Sequence, residues 1–250
     1  MIKVQNLTKK YSDLIALNNV SFELNKGEII GLIGTNGAGK STTVKILSGL
    51  LEYDSGKVDI MGIDVMKEPV EVKKIIGYVP ESPNLFNSLT VTEYLNFIGE
   101  IRLLDKTLLK KRIDNFAGFF SFEQYLNESI GILSKGNKQK VLITSALLHN
   151  PEIIYFDEPL NGLDANAIFA FQDLVDYLRK ENKIILYCSH LLSTIEKIST
   201  RIIYLDKGVI RIDKPNEELK NSENYTDLEN MFREISIAEE VNKFKASDLF

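Results

Sequence analysis

The residue types and spacing with the clearest chemistry are Gly34-Thr35-Asn36-Gly37-Ala38-Gly39-Lys40-Ser41, a G-x-x-x-x-G-K-S pattern followed by Thr42. Glycines lack a Cβ, so successive backbone N–H groups can curl around phosphate oxygens, and a helix opening after the loop adds the partial positive charge of its N-terminus. In such a loop the lysine, here Lys40, reaches β- and γ-phosphates, and the hydroxyl of Ser41 ligates Mg²⁺. The flanks agree, since residues 28–33 read as a buried strand and residues 42–50 as a helix. The pattern marks a nucleotide site.

A second constellation lies far downstream. Pro151-Glu152-Ile153-Ile154-Tyr155-Phe156-Asp157-Glu158-Pro159 is an apolar strand ending in two carboxylates. A lone Asp-Glu at a strand end is by default a solvated surface pair. With a phosphate loop in the same chain, Asp157 is placed to hold Mg²⁺, directly or through water, and Glu158 to polarise an attacking water. Between the two constellations, Leu133-Ser134-Lys135-Gly136-Asn137 opens a helical run that Pro151 stops. Asn161-Gly162-Leu163-Asp164 follows the carboxylates, and Ser189-His190 ends a further apolar run.

The elements that must position these groups alternate along the chain. Residues 1–26 alternate polar and apolar, as at Val20, Phe22 and Leu24, which predicts an antiparallel sheet. Turn signals stand at Asp54-Ser55-Gly56 and Met61-Gly62. Residues 85–150 change character, with helices predicted over 91–104, 108–120 and 138–148. Strands at 153–157 and 184–188 enclose a helix whose Phe171, Leu174, Val175 and Leu178 share one face. A hairpin is expected near Asp206-Lys207-Gly208, and from residue 216 a tail carries the stripe Leu228, Met231, Phe232 and Ile235, expected to dock on the body.

In this order the motifs resemble the nucleotide-binding subunits of ABC transporters, from the amino terminus to about residue 215. The resemblance implies an α/β P-loop NTPase core with an antiparallel β subdomain and an inserted α-helical subdomain at about 85–150, followed by a helical tail over 216–250. It places Tyr11 against adenine, and Asn36, Gly37, Ala38, Gly39, Lys40, Ser41 and Thr42 around the phosphates of ATP. Asp157 and Ser41 hold Mg²⁺, Glu158 is the catalytic glutamate, and His190 contacts the γ-phosphate. Ser134, Gly136 and Asp164 belong to the signature motif and the D-loop, which the family presents to the nucleotide of a second subunit in a head-to-tail dimer.

Three departures stand out. Glu81, after Tyr78-Val79-Pro80, occupies a position where the wider family has glutamine; it keeps an oxygen for Mg²⁺ and catalysis, adds a charge and loses a donor. Lys135 and Asn137 replace the first glycine and the glutamine of Leu-Ser-Gly-Gly-Gln, while Ser134 and Gly136 are kept, and Asn161-Gly162 stands where Ser-Ala is usual. The first two resemble variants in drug- and peptide-exporting members.

Composition bounds the partners. The 250 residues carry 30 basic and 35 acidic side chains, a mild net negative charge without a concentrated basic patch, which argues against nucleic acid. Cys188 is alone, so no intramolecular disulfide forms. The first residues enter structure without the pattern of a signal peptide, and no apolar run approaches the roughly 20 residues of a membrane span. The expectation is an ATPase on the cytoplasmic face of the cell membrane, partnered by a second, identical or related, nucleotide-binding subunit and a polytopic permease. A soluble ABC-type ATPase acting on ribosomes or DNA, and an ATP-gated interaction protein that does not hydrolyse, are the alternatives.

Overall fold

The computed structural model of the chain describes residues 1–82, 84–222 and 225–239. It opens with β1 (Ile2–Tyr11) and β2 (Leu14–Leu24), antiparallel, with Ile2 opposite Leu24 and Tyr11 opposite Leu14. Their alternation turns Ile2, Val4, Leu7, Leu17, Val20 and Leu24 inward. β3 (Ile29–Ile33) has no such alternation, because all five residues are buried. It leads through the glycine-rich loop into α1 (Lys40–Leu47). The helix begins two residues before the expected 42, at the residue after Gly39 (φ +109), and ends early because Gly49 (φ +63) turns the chain away.

β4 (Ser55–Ile60) and β5 (Ile63–Asp64) complete a four-stranded sheet in the order β2-β1-β4-β5. Gly56, expected in a turn, lies inside β4. A Cβ there would lie 2.6 Å from the carbonyl oxygens of Gln5 and Asn6, so this glycine serves the close approach of β4 to β1. Then come α2 (Pro69–Ile75), β6 (Ile76–Val79), α3 (Val91–Ile101), α4 (Lys106–Phe120) and α5 (Lys135–Leu147). α3 starts at a reciprocal cap, in which Glu93 N donates to Thr90 Oγ1 and Thr90 N to the Glu93 carboxylate. Asp105 caps α4 by accepting from Thr107 N and Leu108 N. α5 starts three residues before the expected 138, because Ser134 Oγ accepts from Asn137 N.

The chain continues with β7 (Ile153–Asp157), α6 (Ala165–Lys180), β8 (Ile184–Cys188), α7 (Leu192–Ile198), β9 (Arg201–Asp206), β10 (Val209–Pro215), α8 (Asn216–Lys220) and α9 (Leu228–Glu239). A second sheet runs β10-β9-β3-β8-β7-β6, with β10 antiparallel to β9 and the remaining neighbours parallel. β3, β7 and β8 are buried along their whole length because both faces are covered, whereas β10 at the edge carries Arg211, Asp213 and Lys214. Ile33, Phe156, Tyr187 and Tyr204 face the helices, whereas Leu32, Tyr155, Leu186 and Leu205 face α1 and the four-stranded sheet.

The tail docks on its own chain. Leu228 is fully buried, its N–H donates to the Glu196 carboxylate at 3.1 Å, and the Phe232 ring meets that of Tyr204 edge-on at 5.3 Å. The side chain of Ile235 and residues 240–250 lie outside the described residues. Cys188 is buried, which pushes its thiol pKa well up and leaves it as a core side chain.

His149, just past the end of α5, is a buried titratable group that this packing displaces strongly. Burial, with the positive charges of Arg102, Arg112 and Lys183, pushes its pKa down to about 4, although Nε2 meets the Ile76 carbonyl at 3.0 Å. A depressed histidine pKa means that the unfolded chain binds the proton first, so stability falls as pH drops from 6.5 towards 4. Chemical denaturation of His149→Gln across this window should show a flatter pH dependence than the parent. Parallel curves would contradict the burial argument.

Candidate nucleotide site

The phosphate loop is clamped on two sides before any ligand is considered. Gly208 N donates to the Ala38 carbonyl at 3.0 Å, and Asn18 N donates in turn to the Gly208 carbonyl at 2.8 Å. A Cβ on Gly39 would lie 2.5 Å from the Ala16 carbonyl oxygen, so the loop presses directly on β2. Gly37 has nothing within 4 Å of its would-be Cβ and faces open space. The loop is therefore rigid on its protein side and bare on the other. Lys40 Nζ donates to the carbonyls of Gly34 (2.7 Å) and Thr35 (3.1 Å), which keeps the ammonium along the loop.

The carboxylates arrive from the neighbouring strand ends. Asp157 stands opposite Cys188 in the β7–β8 register, which brings Glu158 beside Ser189 and His190. Glu158 has φ +50, an uncommon left-handed conformation for a glutamate, and its N–H donates to the Cys188 carbonyl at 2.9 Å. Its carboxylate accepts from Ser189 Oγ and His190 N, both at 2.8 Å, and His190 Nδ1 lies 2.9 Å away. Glu158 is 13% exposed and His190 69%, while Ser189 is buried, so the glutamate is held between a buried hydroxyl and a solvent-facing imidazole.

Asp157 is buried, and burial raises its carboxyl pKa, with the charges of Glu81 and Glu158 adding to the rise. A hydrogen bond from Ser41 and the Lys40 charge oppose it. The Asp157 carboxylate and the Ser41 hydroxyl are donors suited to a divalent cation, whose charge would offset the repulsion from Glu81 and Glu158.

These residues share one cleft of about 720 Å³, lined by Tyr11, Asn36 to Thr42, Glu81, Asp157, Glu158 and His190. Leu14 and Ala16 also line it and were not among the residues expected from the sequence. Leu14 is 65% exposed and pairs with Tyr11 across β1 and β2, a placement that nothing in the local sequence signals. Tyr11 ends β1 with the Lys9 ammonium 5.3 Å from its ring centroid. Ser134, Gly136 and Asp164 do not line the cleft. Ser134 caps α5, Gly136 packs against the Gly162 carbonyl, and Asp164 caps α6 through Ala167 N while pairing with Lys140 at 3.3 Å.

Residues 17–161 match the family described as ABC transporter. The chain is 34% identical over 237 residues to the ABC transporter ATP-binding protein NatA of Bacillus subtilis, covering 93% of this chain and 96% of that one. It is also 34% identical to the bacitracin transport ATP-binding protein BcrA of Bacillus licheniformis, over 88% and 71% of the two chains. Among solved structures, the ATP-binding subunit of an ABC transporter superposes with a TM-score of 0.89 at 30% identity, covering 94% and 99%. The cassette MJ0796, seen as a dimer in a post-hydrolysis state with ADP and Pi, gives 0.79 at 27%, covering 86% and 99%. Together with the cleft, these likenesses show that the chain belongs to the ABC transporter family as an ATP-binding subunit, with the ATPase fold and activity of that family.

The two loop glycines should separate fold from function. Alanine at either 37 or 39 meets left-handed strain of roughly 1–2 kcal/mol, but only at 39 does the Cβ also collide with a backbone oxygen. Gly39→Ala should therefore lose at least twice the unfolding free energy lost by Gly37→Ala in urea titrations of the nucleotide-free protein.

Proposed function

We propose that this chain binds MgATP in the cleft, closes on a second nucleotide-binding subunit, and by hydrolysis reopens, driving a separate membrane permease. The observation that carries the reading is the partition of the motifs. One cleft holds Lys40, Ser41, Asp157, Glu158 and His190, while Ser134, Gly136 and Asp164 stand outside it. A head-to-tail pair would bring the second set to the first, so the γ-phosphate becomes a contact shared by two chains. Identical and related partners both satisfy this geometry.

In this cycle Tyr11 stacks on the adenine, and the loop N–H groups and Lys40 cradle the phosphates. Ser41 and Asp157, with Glu81, are the groups that would hold Mg²⁺, which neutralises phosphate charge as the γ-phosphoryl leaves. Glu158 polarises the attacking water, and His190 and Ser189 keep its carboxylate aimed. Losing the γ-phosphate removes the contact that holds the dimer closed.

The permease reading rests on a second groove. About 710 Å³ in volume, it lies between α2, β6, α3 and α5 and is rimmed by exposed Leu50, Val70, Ile101 and Leu103. Arg102 crosses it to the carbonyls of Lys73 and Ile76. Tyr78 lines the groove and Glu81, three residues on, lines the nucleotide cleft, so a cytoplasmic helix of a permease seated there would be linked to ATP. Among the described residues no helix is long and apolar enough to cross a membrane. This supports a peripheral position at the cytoplasmic face, with the crossing made by another chain. Export of a drug, antimicrobial peptide or lipid-like compound is favoured by Glu81, by the Lys135 and Asn137 signature, and by relatives named for bacitracin transport and linearmycin resistance. No nucleic-acid partner is proposed.

Glu158→Gln should slow ATP turnover by roughly 10²–10⁴-fold, leave ATP binding intact and trap a dimer in MgATP, read by size-exclusion chromatography. Turnover at the parental rate would remove Glu158 from its assigned role. Leu103→Glu should leave turnover of the isolated chain unchanged and abolish recovery of a polytopic protein from detergent-solubilised membranes; undiminished recovery would exclude the groove.

A further inference from the structure

Lys135 and Gly162 both depart from the family pattern, and the structure places them against each other. A Cβ on Gly162 would lie 2.9 Å from Lys135 Cγ and 3.1 Å from Cδ, so the lysine stem occupies the space that a side chain at 162 would need. Gly162 has φ +81, and a Cβ on Gly136 would lie 2.4 Å from its carbonyl oxygen. The two departures form one fitted pair.

The pair belongs to a larger seam. Residues 135, 136, 139 and 140 share one face of α5 by helical spacing. Gln139 Nε2 donates to the Pro159 carbonyl at 2.9 Å, and buried Lys140 pairs with Asp164 at 3.3 Å. This face thus holds the whole loop from the residue after Glu158 to the cap of α6. Lys135 fastens its middle, where the left-handed glycine is the most pliable link. Its exposed ammonium has no partner among the described residues.

We propose that Lys135 is a positioning residue for Glu158 and that it acts through its methylene stem, not its charge. The stem laid over Gly162 fixes the loop that follows Glu158, so the glutamate and the signature end of α5 keep one relative position. A lysine in a motif that meets phosphate is ordinarily read as a phosphate ligand; here the atoms that lie against Gly162 are the carbons Cγ and Cδ. The inference rests on the role of Glu158 in the proposed cycle.

The test is steady-state ATP hydrolysis by the purified full chain and four variants, each with a thermal melt. Lys135→Gly should lower kcat on the order of 5-fold with KM for ATP nearly unchanged, because it loosens a positioning contact and not a binding one. Lys135→Met keeps the stem and should stay within about 2-fold of the parent. Gly162→Ala should also lower kcat, and the double variant Lys135→Gly/Gly162→Ala should lose less than the product of the single losses, since the clash is then gone. Lys135→Met falling as far as Lys135→Gly would assign the role to the ammonium and overturn the proposal. So would multiplicative losses, or melting temperatures that drop while kcat holds. A parent without ATP turnover would remove the proposed function and this pair together, whereas a working parent with uncoupled losses would remove the pair alone.

Discussion

The structure depends on one register, in which β7 and β8 run parallel with Asp157 opposite Cys188. Parallel strands end on the same side of a sheet, and the loops that leave those ends must share a crevice. Because β3 lies on the other side of β8, the phosphate loop enters the same crevice. Sliding β7 by one residue would turn Phe156 and Tyr155 to opposite faces, exchanging the two core layers that they join. The hydrophobic cores therefore fix the register, and the register fixes the distance between phosphate loop and carboxylates. Catalytic geometry here is a by-product of burying a sheet on both faces.

That burial also creates the electrostatic tension of the site. Burial of Asp157, with the charges of Glu81 and Glu158, disfavours its charged form. A cation held at the strand ends would relieve this, and its affinity would then be coupled to the same packing that forms the sheet. Glu158 carries a second strain, in its left-handed backbone. Ser189 Oγ and His190 N donate to its carboxylate, with His190 Nδ1 2.9 Å away. The Glu158 N–H donates to the Cys188 carbonyl, so side chain and backbone are both anchored in that conformation. The strained glutamate and the raised aspartate are adjacent, and both point into the cleft.

Legibility from sequence followed the range of the interactions. The phosphate loop, the apolar strands at 153–157 and 184–188 and the helical middle region show local patterns, because backbone conformation and two-faced burial act over a few residues. Boundaries failed where a cap or a close approach decided them. Ser134 lengthens α5, and Gly56 allows strand contact where a turn was expected. Leu14 and Ala16 were missed because their membership of the cleft comes from the β1–β2 pairing, not from their own neighbours. Ser189 was visible at a strand end, but its bond to Glu158 spans 31 positions and needs the sheet. Ser134, Gly136 and Asp164 were legible only through resemblance, since nothing local distinguishes them from helix caps and turns, which is how they serve within the single chain.

α5 explains how a cleft and a groove on different sides of one chain can act together. It has 13 residues, about 20 Å at 1.5 Å per residue, and it is buried from Gln139 to Leu147. Its first turns grip the loop behind Glu158, and its last turns supply Leu142, Ser145 and Ala146 to the groove. The far end is pinned by His149 on the Ile76 carbonyl and by Arg112 on that of Leu148. A close-packed helix neither bends nor compresses easily, so a displacement at one end arrives at the other as a displacement, not as heat in a soft core. In the proposed cycle, a permease helix that moves the groove end of α5 moves the signature end with it, and the seam along residues 135–140 carries that movement to the loop behind Glu158. In that cycle the coupling needs no separate device, because the helix that lines the groove also holds the loop behind Glu158.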